Sequence, residues 1–344
     1  MKMSRRQAVE FGVAACGAAL LGGRAQAEAD RLRIAFALNR GPYDASNAPF
    51  LLAERKGYFL DANIDIAFSL SKDAQDVLHR VASNDYDFGF LDLSVLLRFA
   101  LEKPESAPLY VFAIFDRSPA SVVTWKTSGV IKPSDLAGKT LAAVETDGAF
   151  QLFPVFLRAA GVDPASVKLK MTALAEREQI MARHEADGAI GFDSTIFYKL
   201  AAGGATLADV DITYYANGGL DLYSNGIIVS RKMLASHPER IASIVTACAK
   251  GWRDALAAPQ DAVNVLAEVA PTIDQTRELA RFDWIKTRQI LTPDVRRDGL
   301  GLVDPARLAR TIAQIEALDG KGGLRVEQIY SKAYLPAKED RSIG

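Results

Sequence analysis

Any chemistry in this 344-residue chain has to be built from a short supply of reactive side chains. Its three histidines, His79, His184 and His237, stand in no metal-ligand spacing. A zinc helix needs a second histidine four residues after the first, and His184-Glu185 has none. Gly138-Lys139-Thr140 looks like the end of a phosphate loop, but the loop's opening glycine would fall on Pro133. No G-x-S-x-G elbow and no G-x-G-x-x-G fingerprint occurs. A nucleophile and its base would have to be gathered from distant segments, so the reading is a binding protein rather than an enzyme, with no metal and no cofactor implied. The residues with most to offer a ligand are Asn, Asp, Ser and Tyr in polar loops that directly follow apolar strands.

Those loops are positioned by a regular alternation. Residues 32–38 (LRIAFAL) read as a strand, 49–56 as a helix with Pro49 in its first turn and Gly57 as its stop. Residues 64–68, 86–91 and 109–115 continue as strands, separated by helices over 74–82 and 94–101. From about residue 121 the rhythm restarts, with strands at 122–125, 140–144, 167–171, 188–191 and 211–215 and helices at 148–160, 175–184 and 195–202. Strands alternating with helices of about ten residues indicate parallel α/β sheets covered on both faces. Two such runs indicate two lobes, which the chain is long enough to fill. After the strand 226–230 the chain is nearly all helix, clearest at 239–257, 307–318 and 326–333. Cys248 falls on the apolar stripe of the first of these, which reads as a buried structural thiol. The charged tail from Ala337 reads as frayed.

The N-terminus differs in kind. Lys2, Arg5 and Arg6 precede a small apolar stretch over 11–23, and Ala25-Gln26-Ala27 offers an A-x-A cleavage site. Ser4-Arg5-Arg6-Gln7 resembles the start of a twin-arginine signal; the general secretory route is the alternative. A lipoprotein box at Cys16 is poorly served, because Glu10 interrupts the apolar region before it. Cleavage after Ala27 removes four positive charges and one negative, taking the formal net charge from −1 to −4. It also leaves Cys248 without a disulfide partner. The remaining charges are mixed, with no basic run for nucleic acid. No apolar stretch reaches the roughly 20 residues of a membrane span. A periplasmic location follows.

Four segments, in order along the chain, carry a family resemblance. Asn47-Ala48-Pro49-Phe50-Leu51-Leu52-Ala53-Glu54-Arg55-Lys56-Gly57-Tyr58-Phe59 resembles an "aPfylAxekGyF" opening. Asp85-Tyr86-Asp87-Phe88-Gly89-Phe90 is similar to an "xxDfgf" strand, and residues 131–139 to an "IkxPxDLkGK" turn. Gly251-Trp252-Arg253-Asp254-Ala255 with Pro259 resembles a late "GWxxAxxxP" helix. Together they resemble the family that groups thiamine-pyrimidine-synthesis-like proteins with nitrate-, sulfonate- and taurine-binding proteins. The resemblance implies a type II periplasmic-binding-protein fold, α/β, with two doubly wound lobes joined by a two-strand hinge. Lobe 1 would be 28–117 with 224–344, lobe 2 would be 118–223, and the hinge would lie near 116–120 and 216–226. It also implies a small-molecule ligand and, as partner, an ABC importer permease with its ATPase, served by a monomeric solute-binding component. A pyrimidine synthase shares the fold, but it carries a Cys-rich segment that this chain lacks.

In doubly wound sheets ligands bind beyond the carboxyl ends of strands, near helix N-termini. That rule selects Asn39, Tyr43 and Asn47 in the first loop, with Asp92 and Ser94 in the second. It further selects Asp147 and Gly148, then Asp193 and Ser194, and finally Asp221, Tyr223 and Asn225 beside the hinge. Each has a second reading. Asp92, Asp147 and Asp193 stand where helix caps stand, worth about 1 kcal/mol each. Tyr43 and Tyr223 could pack, and Asn225 could make a turn. These loops are acidic and aromatic, with Arg40 the one guanidinium in view. An anion site normally presents more arginine. The expected ligand is therefore a flat, N–H-bearing heteroaromatic, thiamine-pyrimidine-like or flavin-like; a sulfonate, taurine or nitrate anion is the alternative, as are an enzyme or a sensor module on the same fold.

Overall fold

The computed structural model describes residues 31–39 and 42–343; the expected export signal and Arg40 lie outside them. Among the described residues, ten strands form two five-stranded sheets. The first holds β1 (Leu32–Leu38), β2 (Ile64–Leu70), β3 (Phe88–Asp92) and β4 (Leu109–Ala113), together with β10 (Asn225–Val229) from the return of the chain. The second holds β5 (Ala120–Trp125), β6 (Thr140–Ala143), β7 (Lys168–Met171), β8 (Gly188–Phe192) and β9 (Val210–Tyr214). Their orders are β2-β1-β3-β10-β4 and β7-β6-β8-β5-β9.

The matching orders locate the switch points. From β1 the chain moves outward to β2 and then back past β1 to β3, and β6, β7 and β8 repeat the move. The crevice this opens at the carboxyl ends of the central strands is where such sheets receive ligands. The purely parallel sheets expected from the alternation are corrected in one respect. β10 runs antiparallel to β3 and β4, and β5 runs antiparallel to β8 and β9. Each is the strand by which the chain arrives from the other half, so it enters its sheet from the opposite end.

The first half is packed around aromatic rings. Trp252 on the long helix Pro238–Ala257 meets Phe50 edge-on at 5.7 Å, and Phe50 lies 5.3 Å from Phe36. Gly251 permits this: a Cβ there would lie 2.4 Å from the Pro49 carbonyl oxygen and 2.5 Å from the Ala53 Cβ, so the helix could not lie down on Ala48–Arg55. Cys248 sits on the same face, fully buried, and burial pushes its thiol pKa up. The tail is not frayed. Arg341 donates to the carbonyls of Asp298 and Leu300 at 2.6 and 3.0 Å, which docks the chain end. No described helix is long and apolar enough to cross a membrane.

The chain passes between the sheets at 114–119 and returns at 215–224. The crossings are bonded to each other, with the Ser118 N–H donating to the Leu222 carbonyl at 3.0 Å and the Ser224 N–H to Phe115 at 3.0 Å. Arg307, from the helix Pro305–Asp319, clips them together. It donates to the carbonyls of Asp116 (2.7 Å), Leu222 (3.1 Å) and Asp221 (3.3 Å), and to the Asp116 carboxylate at 3.3 Å. Its guanidinium also lies 3.9 Å from the Tyr223 ring centroid. Replacing Arg307 with Leu leaves the Asp116 carboxylate buried without its cation, which costs about 3–5 kcal/mol. Urea unfolding measures this; a loss below about 1 kcal/mol, the scale of an exposed pair, would contradict the clip.

Candidate functional site

The crevice between the sheets is assembled from strand ends, in two parts. The inner part, a cavity of about 40 Å³, is lined by Asn39, Asp73 and Asp92 from the first half and by Asp147, Gly148 and Phe192 from the second. Leu174 also borders an outer chamber of about 630 Å³, which Tyr43, Lys72, Tyr198, Arg277 and Arg281 help to line. A cavity of about 150 Å³ admits one benzene ring. The inner part therefore takes an aromatic solute only when the two halves part.

Asp92 ends β3 and caps the helix Leu93–Glu102, accepting from the Ser94 N–H at 2.8 Å. The Ser94 and Ser224 hydroxyls also donate to it. Burial raises its pKa; the serine donors oppose this and the charge of Asp147 across the crevice adds to it. Asp147 caps Gly148–Ala159 through the Ala149 N–H at 2.9 Å, and its other oxygen receives the Arg177 guanidinium at 2.6 Å. Arg177 is fully buried and also holds Glu178. A carboxylate offers about four acceptor positions. Among the described residues Asp92 has three donors and Asp147 two, which leaves both with capacity for a ligand N–H.

Asp193 has other duties. It is the first residue of its helix rather than the cap, which is Phe192. Its carboxylate accepts from Tyr214 and Trp284 at 2.7 Å each, from Gln289 at 3.0 Å and from the Ser194 N–H, so its capacity is filled. Burial raises its pKa, and these donors pull it back. Ser194 is buried in the same first turn.

The remaining candidates divide. Asn39 lines the inner cavity and Tyr43 the outer chamber. Asn47 is fully buried in its turn; its Oδ1 accepts from the Asp44 N–H, and its Nδ2 has no partner among the described residues. Ser94 backs Asp92. Asp221 lies outside the crevice and pairs with Arg307 at 2.8 Å. Tyr223 lies under Arg307, its hydroxyl accepting from the Asp304 N–H at 2.9 Å. Asn225 opposes Asp92 in the β3–β10 ladder, with its carbonyl taken by the Ile114 and Phe115 N–H groups.

The expectation that Arg40 is the sole guanidinium near these loops is overturned. Arg177 backs Asp147 from beneath, and Arg277 and Arg281 line the outer chamber from a segment far along the chain. Each meets a carboxylate: Asp147, Asp274 (3.7 Å) and Asp44 (3.3 Å) respectively. Sequence reasoning also missed Asp73, Trp284 and Gln289. Asp73 was findable, because it caps the helix Ala74–Ala82 at the end of β2.

Two like-ordered sheets with a ligand-sized crevice at their facing carboxyl edges define the periplasmic-binding-protein fold. The periplasmic aliphatic sulphonate binding protein SsuA from Escherichia coli superposes with a TM-score of 0.66 at 12% identity, over 85% of this chain and 87% of that one. The chain belongs to the NMT1/THI5-like family, whose model matches residues 44–262. It is 24% identical over 300 residues to the riboflavin-binding protein RibY of Chloroflexus aurantiacus, covering 84% of this chain and 82% of that protein. It is 22% identical over 244 residues to the 4-amino-5-hydroxymethyl-2-methylpyrimidine phosphate synthase of Legionella pneumophila, covering 70% and 75% respectively.

Gly148 brings the second half tight against the end of β3. A Cβ there would stand 2.9 Å from the Ser94 Oγ and 3.1 Å from an Asp92 carboxylate oxygen. Gly148→Ala should therefore prop the halves apart while leaving each folded, since alanine favours the helix. Small-angle scattering should show a larger radius of gyration; a curve identical to wild type counts against the contact. Trp284→Phe removes one donor from the buried Asp193 carboxylate and should cost about 2 kcal/mol in urea unfolding. No loss would mean that the indole N–H is dispensable there.

Proposed function

We propose that this protein is the exported solute-binding component of an ABC importer, and that it holds a small heteroaromatic molecule in the crevice between its halves. Lobe 1 comprises 28–117 and 224–344, and lobe 2 comprises 118–223. The observation that carries the reading is the pair of incompletely satisfied carboxylates, Asp92 and Asp147, one on each half, facing the same small cavity. A ligand whose ring N–H or amino groups reach both is held when the halves, after parting to admit it, close onto it, because only then do both carboxylates contact it. Asn39 and Gly148 line the same floor, and Tyr43 and Phe192 offer aromatic faces at its edges. RibY, a riboflavin binder by name, supports this class of ligand. The closed face is what the permease, with its ATPase, recognises. The protein acts as a monomer in the periplasm, exported by way of the twin-arginine motif at Arg5-Arg6, and returns its solute unaltered.

A second reading has an observation of its own. Lys72, Lys199, Arg277 and Arg281 line the outer chamber beside Asp44, Asp274 and Glu278, an excess of cations that suits a sulfonate or another organic anion. One screen separates the two: thermal shifts with the hydroxymethylpyrimidine, thiamine and riboflavin beside taurine, an alkanesulfonate and nitrate. Ligand at about 100 times its Kd adds about 2.7 kcal/mol, a clear rise in Tm. A rise with a heteroaromatic that Asp92→Asn and Asp147→Asn both diminish is the expected result. A rise with the anions alone replaces the first reading by the second.

A further inference from the structure

We propose that a pocket behind the hinge, away from the crevice, is a second binding site that takes a small phosphate monoester. The pocket has a volume of about 450 Å³ and is walled by three separate pieces of chain. Arg117 comes from the first crossing, Tyr214 and Asn217 from the end of β9, and Thr287 and Arg288 from the π-helical turn Lys286–Ile290. The Arg117 N–H donates to the Gln289 carbonyl at 2.9 Å, which fixes the crossing against that turn.

The charge balance is unusual for this protein. The Arg117 guanidinium has no partner among the described residues and is exposed. Arg288 is held flat, 3.8 Å from the Trp284 ring centroid, and donates to the Tyr214 hydroxyl at 3.2 Å rather than to a carboxylate. The Tyr214 hydroxyl in turn donates to Asp193, so its proton is committed. One carboxylate lines the pocket, that of Asp221, and it shares the Arg307 guanidinium, at 2.8 Å, with Asp116. Two guanidiniums thus face one pocket, and neither is bonded to a carboxylate among the described residues. The crevice differs, since Arg177, Arg277 and Arg281 there are each matched by an acid.

Two guanidinium forks with two positive charges match a dianion whose oxygens lie in several directions, which is the geometry of a phosphate. The volume lies within the range of about 300–1,000 Å³ that serves organic ligands, well beyond what a bare ion fills. A phosphate carried on a small organic group therefore fits better than inorganic phosphate.

Titration calorimetry of the full chain with inorganic phosphate and with glycerol phosphate tests this. Both should bind saturably, glycerol phosphate at least as tightly. Arg117→Gln removes a guanidinium that makes no bond in the fold, and should weaken both by about tenfold or more. Arg288→Lys, which keeps the charge but loses the fork, should weaken them as well. Arg297→Gln, on an exposed arginine paired elsewhere with Asp298, should leave them unchanged. Wild-type affinity in Arg117→Gln, or no saturable binding of either compound, overturns the site. Tighter binding of inorganic phosphate than of the ester overturns the ligand class.

Discussion

One guanidinium holds the two halves of this molecule in register. Arg307 spends its donors on both crossings at once, on the Asp116 carbonyl and carboxylate of the first and on the Asp221 and Leu222 carbonyls of the second. The ion pair is nearly buried, with side-chain exposures of 9% and 8%, so removing either partner would strand a charge. The facing of the two carboxyl edges follows from this tie. Two extended segments bonded side by side allow bending but resist sliding, so the edges can part and meet again at the same place.

Within that frame, three aspartates of like sequence context have different fates. Asp92, Asp147 and Asp193 all stand where an apolar strand gives way to a helix. The rule that ligands meet α/β sheets at such places brought all three into view, and the structure puts two of them on the cavity. What separates the third is long range. Its partners Trp284 and Gln289 lie 91 and 96 residues further along the chain. Arg177, which orients Asp147, lies 30 residues away. Local pattern reports where a carboxylate stands and says nothing of how many donors reach it.

The fold was more legible, because it rests on periodicity. Each described strand and most of the helices in the two alternating runs follow from the apolar pattern, with bounds differing by a few residues. The direction of β5 and β10 was not legible, since alternation fixes a strand's faces and not its neighbours. The C-terminal helices Pro259–Val269 and Gln275–Ile285 were passed over within a region read simply as helical. Their starts carry ordinary signals, Pro259 in a first turn and Asp274 as a cap. The second of them supplies much of what the crevice uses: Arg277, Glu278, Arg281 and Trp284.

That helix has a foot in each half. Phe282 stacks on Trp252 at 6.3 Å in one core, and two residues later Trp284 stacks on Phe197 at 5.3 Å in the other. Any swing of the jaws must unseat one of these rings. Exposing a large buried side chain costs about 2–3 kcal/mol, which alone favours the shut form by about thirtyfold or more. A solute would then enter only during rare gaping, and its association rate, not its affinity for the shut form, would be lowered by the same factor. For such a receptor the pace of capture is set by how often it yawns.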